Sequence, residues 1–377
     1  MKTLENPFVL KGYHGNEYFC DREEELQRLF DAQKQGIDIT MLAIRRMGKT
    51  GLIHHFFNEI SPKNDIITIY FDVFATQNIS DFTNEFASAI LHSLPKSKKI
   101  VNNFINYIKG FNPLISFDSF SGAPEVSLSF NSIQQNEKSL QQLFQYLENQ
   151  DKKVVIAIDE FQQVATYPEK NTEALLRTII QKLKNINFIF CGSNKHMLFE
   201  IFNSVKRPFF GSTQTIYLGS IPVQKYDDFI RHHFQLNKRK ITQEAIDFIL
   251  EWTRTHTYYT QSLCHKLFYV GPKSIVLQDV YHACDRLLKE QESVFFQYRN
   301  LLTTQQWNLM IAIAKEDKVT QPTSFEFVSK YELGNASSVR RSLLSLIDKE
   351  MVIEISTPTE HYYMVYDCFL SRWMAKL

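Results

Sequence analysis

The chemistry of this chain is concentrated in eight residues, Ala43-Ile-Arg-Arg-Met-Gly-Lys-Thr50. They stand between an apolar run, Ile37 to Leu42, and an amphipathic helical run, Leu52 to Ile60. A loop joining a strand to a helix can wrap its backbone N–H groups around phosphates, send a lysine to the β- and γ-phosphates and offer a hydroxyl to Mg2+. Lys49 and Thr50 carry those side chains at that spacing, and the backbone of Arg45, Arg46, Met47, Gly48 and Gly51 would complete the cradle. Ala43 occupies the position where such loops begin with glycine. An alanine at a strand end needs only ordinary φ/ψ, and Gly48, where the backbone comes nearest to phosphate, is retained.

A Gly-Lys-Thr triplet also arises by chance, so a second element has to complete the site. The run Lys153-Val-Val-Ile-Ala-Ile-Asp-Glu160 is an apolar strand ending in two acids. It would bring Asp159 within reach of Mg2+ and set Glu160 beside it to polarise an attacking water. The structural alternative is a strand that runs into a solvated acidic turn; the upstream loop favours the functional reading. Another apolar run, Asn187-Phe-Ile-Phe-Cys-Gly-Ser-Asn194, ends in Ser193 and Asn194, either of which would hydrogen-bond the γ-phosphate or the water. Both are also favoured helix N-caps, and the two roles are compatible.

These segments need a frame. Five short runs, Ile37–Leu42, Ile66–Val73, Val154–Ile158, Phe188–Cys191 and Thr215–Leu218, alternate with amphipathic helices. That pattern predicts an α/β domain with a five-stranded parallel sheet covered on both faces, its ligand beyond the carboxyl ends of the strands. Only about 112–131 breaks the alternation. There Ile115–Phe120 and Glu125–Phe130 have period two around Ser-Gly-Ala-Pro, the signature of an inserted hairpin, read as packing decoration. From Ile221 onward the helical patterns Lys225–Gln235, Gln243–Thr253, Tyr258–Val270 and Leu277–Phe296 take over. Thr304–Ala314, Ser324–Tyr331 and Ala336–Lys349, then Val352–Ile355 and Tyr362–Tyr366 around Ser-Thr-Pro-Thr, describe a winged helix. The expected domains are 1–220 (α/β), 221–300 (a helical lid) and 301–377 (winged helix). Asp21 with Glu24 is expected to form the capping box of the first helix.

Composition limits the partners. Across 377 residues, 42 Lys and Arg stand against 41 Asp and Glu, so the whole chain has no polyanion-binding signature. Five scattered cysteines read as reduced thiols, and no stretch approaches the ~18 apolar residues of a membrane helix. No sustained apolar signal segment opens the chain, and a soluble cytoplasmic protein is expected. If the last domain read DNA, Asn335–Lys349 would be its recognition helix, with Ser337, Ser338, Arg340, Arg341, Ser345 and Lys349 outward and Val339, Leu343, Leu346 and Ile347 inward. Yet 301–377 holds eight basic and nine acidic residues, and its wing turn has no basic residue. Charge therefore does not favour DNA, and a protein-contact or autoinhibitory role suits these residues equally well.

In their order the motifs resemble the archaeal-type ATPases, P-loop ATPases of the AAA+ and STAND-like assemblage with a helical lid and a C-terminal winged helix. The resemblance rests on Arg45-Arg46-Met47-Gly48-Lys49-Thr50, on Asp159-Glu160-Phe161-Gln162, and on Cys191-Gly192-Ser193 with Met197. It extends from Phe19-Cys-Asp-Arg-Glu-Glu-Glu-Leu26 to Tyr362–Tyr366, Asp367 and Trp373, essentially the whole chain. It implies ATP and Mg2+ as cofactors, with Thr50 and Asp159 on the metal, Lys49, Glu160, Ser193 and Asn194 in the reaction, and Phe19 and Cys20 against the base. It also implies that His256, in Thr255-His256-Thr257-Tyr258-Tyr259-Thr260-Gln261, faces the phosphates from the lid, although the family's Gly and Pro there are both threonine here. The family's Pro-x-x-Gly-Arg appears as Pro208-Phe-Phe-Gly-Ser212, so the finger arginine is a serine, and Arg207 or Lys206 would have to deliver its charge. An arginine finger contributes about 10³–10⁵ in rate. The expectation is thus a Mg2+-dependent ATPase with slow turnover, a switch that couples ATP or ADP to lid and winged-helix movement and signals to an unidentified protein partner. Two alternatives stay open: a nucleotide-insensitive regulator, suggested by Ala43 and Ser212, and a DNA-binding winged-helix regulator.

Overall fold

Each apolar run read as a strand is one. β1 (Ile39–Ala43) and β2 (Ile67–Asp72) precede a hairpin of β3 (Pro113–Phe117) and β4 (Pro124–Leu128); β5 (Val154–Asp159), β6 (Ile186–Gly192) and β7 (Gln214–Leu218) follow. The computed structural model describes residues 4–64, 66–94, 97–111, 113–117, 124–130, 132–357 and 359–377. The turn expected at Ser-Gly-Ala-Pro lies mostly outside those residues, as does Pro358 of the wing turn. The five long-range strands pair in parallel in the order β2-β5-β6-β1-β7, while β3 and β4 pair antiparallel.

Two units form, Lys11–Ser220 and a second that joins Met1–Leu10 to Ile221–Leu377. In the first, the helices are α1 (Glu23–Gln35), α2 (Lys49–Asn64), α3 (Ile79–Ser93), α4 (Lys98–Ile108), α5 (Ile133–Glu148), α6 (Thr172–Ile180) and α7 (Lys195–Asn203). The period of two along each strand sorts its side chains between two cores. Val154, Ile156 and Ile158 of β5 join α3 to α7 on one face; Val155 and Ala157 join α1 and α2 on the other. Ala43 closes β1 inside that second core, 2% exposed, so its Cβ contributes packing there.

The expected capping box is not formed. Asp21 and Arg22 both adopt left-handed backbone (φ 57° and 75°), and Arg22 takes the N-cap position with no side-chain cap bond. The buried guanidinium of Arg22 decides this entry. It donates to Glu25 Oε1 (3.0 Å), to the Met47 carbonyl (3.3 Å) and to the Gly219 carbonyl (2.7 Å). Satisfying a buried cation outweighs a cap of about 1 kcal/mol.

Asp38 precedes β1 and ties the sheet together at its entry. Its carboxylate accepts the Phe188 N–H at 2.8 Å, and its carbonyl accepts the Gln214 N–H at 2.9 Å. Burial raises its carboxyl pKa to about 6, although the Phe188 N–H and Arg177 oppose the shift. A raised carboxyl favours the folded state while protonated, so this contribution is complete below the unfolded value near 4 and is lost as pH rises through about 6. Asp38→Asn keeps the acceptor without the charge. We expect it to match the wild type in melting temperature at pH 4 and to exceed it above pH 6, by about 2 kcal/mol in stability.

The second unit contains α8 (Val223–Leu236), β8 (Lys240–Ile241), α9 (Gln243–Trp252), α10 (Thr257–Val270), β9 (Ser274–Ile275) and α11 (Leu277–Leu301). The winged helix follows as α12 (Thr304–Glu316), α13 (Phe325–Lys330), α14 (Ala336–Asp348), β10 (Val352–Ser356), β11 (His361–Val365) and α15 (Cys368–Met374). Phe8, fully buried, packs against Phe229, Phe234 and Phe268, which is why the leading residues belong here. Helices α8 to α11 and the winged helix share this unit through Arg254. Its guanidinium pairs with Asp317 and reaches the Val365 carbonyl at 3.0 Å and Ser371 Oγ at 2.8 Å, while Arg372 binds Asp317 and the Trp252 carbonyl. On α14, Val339, Leu343 and Leu346 are buried as their spacing requires.

Candidate nucleotide-binding site

β1 and β5 are separated by β6 in the sheet, and their carboxyl ends bring the loop after Ala43 to the acids of Asp159-Glu160. Gly48 has φ 93°, a backbone conformation that favours glycine, immediately before α2 begins at Lys49. Lys49, 9% exposed, places Nζ 3.1 Å from Asp159 Oδ1 and 3.4 Å from Glu160 Oε1. Thr50 Oγ1 donates to Asp159 Oδ2 at 2.9 Å. Tyr70 Oη donates to the same oxygen, also at 2.9 Å. On the other oxygen, Asp159 Oδ1 accepts from the Glu160 N–H at 2.9 Å and from Cys191 Sγ at 3.3 Å.

Charge balance follows from these contacts. Burial alone would raise the carboxyl of Asp159, but the Lys49 ammonium and the donors Lys49, Thr50 and Tyr70 hold it below its usual range. Burial also works against Glu160, and again Lys49 prevails, helped by Ser193 and Gln162. Lys49 is in turn held above its usual value against the cost of burial, by Cys191, Asp159 and Glu160 around it and by its bond to Asp159. Burial and Asp159 push the Cys191 thiol up, so it acts as a neutral donor.

Glu160 is held from several sides as well. Its backbone is left-handed (φ 55°), and Oε2 accepts from the Ser193 N–H (3.0 Å), from Ser193 Oγ (2.9 Å) and from Gln162 Nε2. Gly192 makes room for this arrangement: a Cβ built there would lie 1.8 Å from Gln162 Oε1. Ser193 Oγ also accepts from Arg45 Nε at 3.3 Å.

The base-side residues sit against the first turns of α2. A Cβ on Gly51 would lie 3.4 Å from the Phe19 ring, and that ring stacks on His55 with centroids 4.5 Å apart. Tyr13 Oη donates its one proton to Asn16 Oδ1 (2.7 Å), so His55, 2.8 Å from Tyr13 Oη through Nδ1, must carry its hydrogen on Nδ1. Burial lowers the pKa of His55, which keeps the ring neutral. A cleft of ≈ 410 Å³ opens here, lined by Gly12, Tyr13, Thr50, Gly51, His54 and Asn58. Cys20 is buried.

The expected residues are thus only partly gathered. Lys49, Thr50, Asp159, Glu160 and Ser193 converge, with Arg45 at their edge and Phe19 over Gly51. Met47 is buried and its carbonyl is held by Arg22, while Arg46 is exposed with φ 63°. Asn194 serves as the N-cap of α7, its Oδ1 accepting the Met197 N–H at 3.0 Å. Arg207 pairs with Glu173 (3.2 Å) and Glu200 (3.7 Å) on α6 and α7. His256 heads α10 in the second unit, its ring 4.6 Å from Tyr259. Tyr70, Tyr13 and His55 lie outside the motifs read from the sequence, and Gln162 and Arg22 stand in them without an assigned role. Only strand order, which the sequence does not state, brings Tyr70 to Asp159.

Among the described residues no helix is long and apolar enough to cross a membrane. None of the curated proteins matches the sequence. Solved structures do: a Walker-type ATPase of Pyrococcus abyssi superposes with TM-score 0.65 at 16% identity over 98% of this chain and 100% of its own. The ORC2 protein of Aeropyrum pernix, in ADPNP–ADP complexes, gives 0.57 at 13% over 98% and 96%. The ORC1 protein of Aeropyrum pernix, in complex with DNA, gives 0.54 at 10% over 99% and 96%. At such identities the likeness establishes the fold, that of a P-loop ATPase. At the C-terminus, residues 293–376 match a family described as "Probable winged helix domain". The family described as "ATPase domain predominantly from Archaea" matches residues 19–258, a span that covers well over half of the chain and takes in every group around Lys49, and the chain belongs to that family.

Proposed function

We propose that the chain is a Mg2+-dependent ATP switch with slow turnover, whose nucleotide state is read out by its C-terminal unit. The observation that carries the reading is the convergence of Lys49, Thr50, Asp159 and Glu160 at one edge of the sheet. The donor set suits a hard divalent cation: a threonine hydroxyl and a carboxylate, 2.9 Å apart, with oxygen ligands only. Thr50 gives its proton to Asp159 and keeps its lone pairs for the metal, while Lys49 exchanges its carboxylate partners for phosphate oxygens. Bound Mg2+ would neutralise charge on the β- and γ-phosphates. Phe19 and the cleft beside Gly51 take the base.

Glu160 is the group that accepts a proton from water. Its Oε2 is already occupied by three donors and its Oε1 by Lys49, which supports slow turnover, because those bonds must loosen before it acts as a base. Ser212 in place of the family's arginine, and the pairing of Arg207 with Glu173, point the same way. Arg254 and Arg372 join the lid helices to the winged helix, which supports movement of that unit as one body.

The partner we propose is a protein. One structural neighbour is a DNA complex, but residues 301–377 here carry more acidic than basic charge. Titration with a fluorescent ATP analogue, with and without Mg2+, tests the central reading. Saturable binding that strengthens with Mg2+ is expected; no binding at millimolar nucleotide would leave the α/β unit as a scaffold only.

A further inference from the structure

Asp159 Oδ2 has two hydroxyl donors at the same distance, Thr50 Oγ1 and Tyr70 Oη, each 2.9 Å away. Thr50 belongs to the phosphate loop's own helix; Tyr70 comes from β2, the edge strand beside β5. Register puts Tyr70 opposite Ala157 and Asp72 opposite Asp159, so the phenol reaches along the sheet toward the acid. His54, one helical turn beyond Thr50, lays its ring 4.8 Å from that of Tyr70. Thr50, Asp159, Tyr70 and His54 therefore form a closed chain of contacts from α2 to the two strands and back. Burial and the charge of Asp159 push the phenol's pKa up, which keeps it a donor at every physiological pH.

We propose that Tyr70 is a positioning residue for the metal side of the site: it pins one orientation of the Asp159 carboxylate so that this acid and Thr50 present a fixed pair to Mg2+. The proposal rests on the Mg2+–nucleotide reading above. A carboxylate turns about its last bond; Lys49, Cys191 and the Glu160 N–H hold Oδ1 of Asp159, while on Oδ2 Thr50 supplies one bond. A second donor on Oδ2, mounted on a different strand, narrows the rotation further and holds the oxygen that Thr50 shares. It also leaves Oδ1 to Lys49, Cys191 and the Glu160 N–H, so that departure of Lys49 toward phosphate does not release the carboxylate. Outer-shell partners of this kind typically contribute about 10–100-fold in metal affinity.

Tyr70→Phe removes only the hydroxyl and keeps the ring against His54. The experiment measures binding of a fluorescent ATP analogue to the full chain across a Mg2+ titration, for wild type, Tyr70→Phe, Asp159→Asn and the double variant. A melting curve checks the fold of each. In Tyr70→Phe, affinity in the presence of a chelator should stay within about twofold, while half-saturating Mg2+ rises by about tenfold. In the Asp159→Asn background the same substitution should change the Mg2+ dependence little, because Tyr70 acts through that carboxylate. A wild type whose binding ignores Mg2+ overturns the metal-nucleotide reading and Tyr70's role with it. A Mg2+-dependent wild type matched by Tyr70→Phe overturns Tyr70's role alone, as does an equal loss of affinity with and without Mg2+, the mark of a merely structural hydroxyl.

Discussion

Lys49→Ala is expected to lower ATP affinity by about 100-fold or more, the largest binding effect available from a single side chain in this protein. Two charge-assisted bonds to phosphate, each about 1.5 kcal/mol net, already give that factor. Isothermal titration or fluorescence anisotropy would measure it, and an unchanged affinity would remove Lys49 from the site. A second consequence distinguishes this lysine from a surface cation. It is what holds Asp159 and Glu160 below their usual range, against burial. Carboxylates lowered in this way stabilise the fold above their unfolded values near 4, and that stabilisation is lost as pH falls through the folded values. Without Lys49 the buried Asp159 and the half-buried Glu160 lose their shared cation, and one of them takes up a proton instead. The variant should therefore melt below wild type at pH 7, by about 2–4 kcal/mol in stability, with the gap closing below pH 4. A pH-independent gap would mean that lost packing, not lost charge, explains it.

The frame of this site was legible in the sequence because its central strands, β1, β5 and β6, are buried on both faces and so read as unbroken apolar runs, while the half-buried edge strands β2 and β7 keep β-branched and aromatic runs. Ile67–Asp72 and Val154–Asp159 lie within a residue of the runs Ile66–Val73 and Val154–Ile158. The convergence of Lys49 with Asp159 and Glu160 was legible too, since parallel strands put their carboxyl ends on one edge. What could not be read were contacts that depend on strand order or on a buried polar group. Tyr70 is one β-former among several in Ile66–Val73, and only the pairing of β2 with β5 brings it to Asp159. Asp21 had the composition of a capping box, yet the guanidinium of Arg22 took over the helix entry, drawn by the Met47 and Gly219 carbonyls. Asn194 and Arg207 carry chemistry that suits the reaction, and the structure adds contacts the sequence did not show: Asn194 caps the first turn of α7, and Arg207 pairs with Glu173 and Glu200. Gly192 and Gln162 were visible as motif letters, and only the packed structure shows that the glycine exists to admit the glutamine.

Glu160→Gln should uncouple binding from turnover. The substitution keeps the size of the side chain and removes the base, so ATP hydrolysis measured as phosphate release should fall by about 10²–10³-fold while ATP affinity stays within a few-fold. The clamp around Oε2 sharpens the expectation. Three donors, from the Ser193 N–H, Ser193 Oγ and Gln162 Nε2, converge on that oxygen, and an amide can meet them only with its single carbonyl oxygen. Its NH2 group would then face Lys49, a donor against a cation in place of the carboxylate that was 3.4 Å away. Lys49 should be more easily given up to phosphate in this variant, so ATP is expected to bind the same or tighter and to persist, making it the form for capturing the partner. Full hydrolysis in Glu160→Gln would disqualify Glu160 as the base. One further acid stands close enough in the sheet to complicate that outcome: Asp72 lies opposite Asp159 in register, and burial raises its carboxyl toward a more basic range. Glu160→Gln with Asp72→Asn separates the cases. Residual hydrolysis that disappears only in the double variant assigns it to Asp72, whereas residual hydrolysis unchanged by the second substitution comes from phosphate positioning by Lys49 and Thr50 alone.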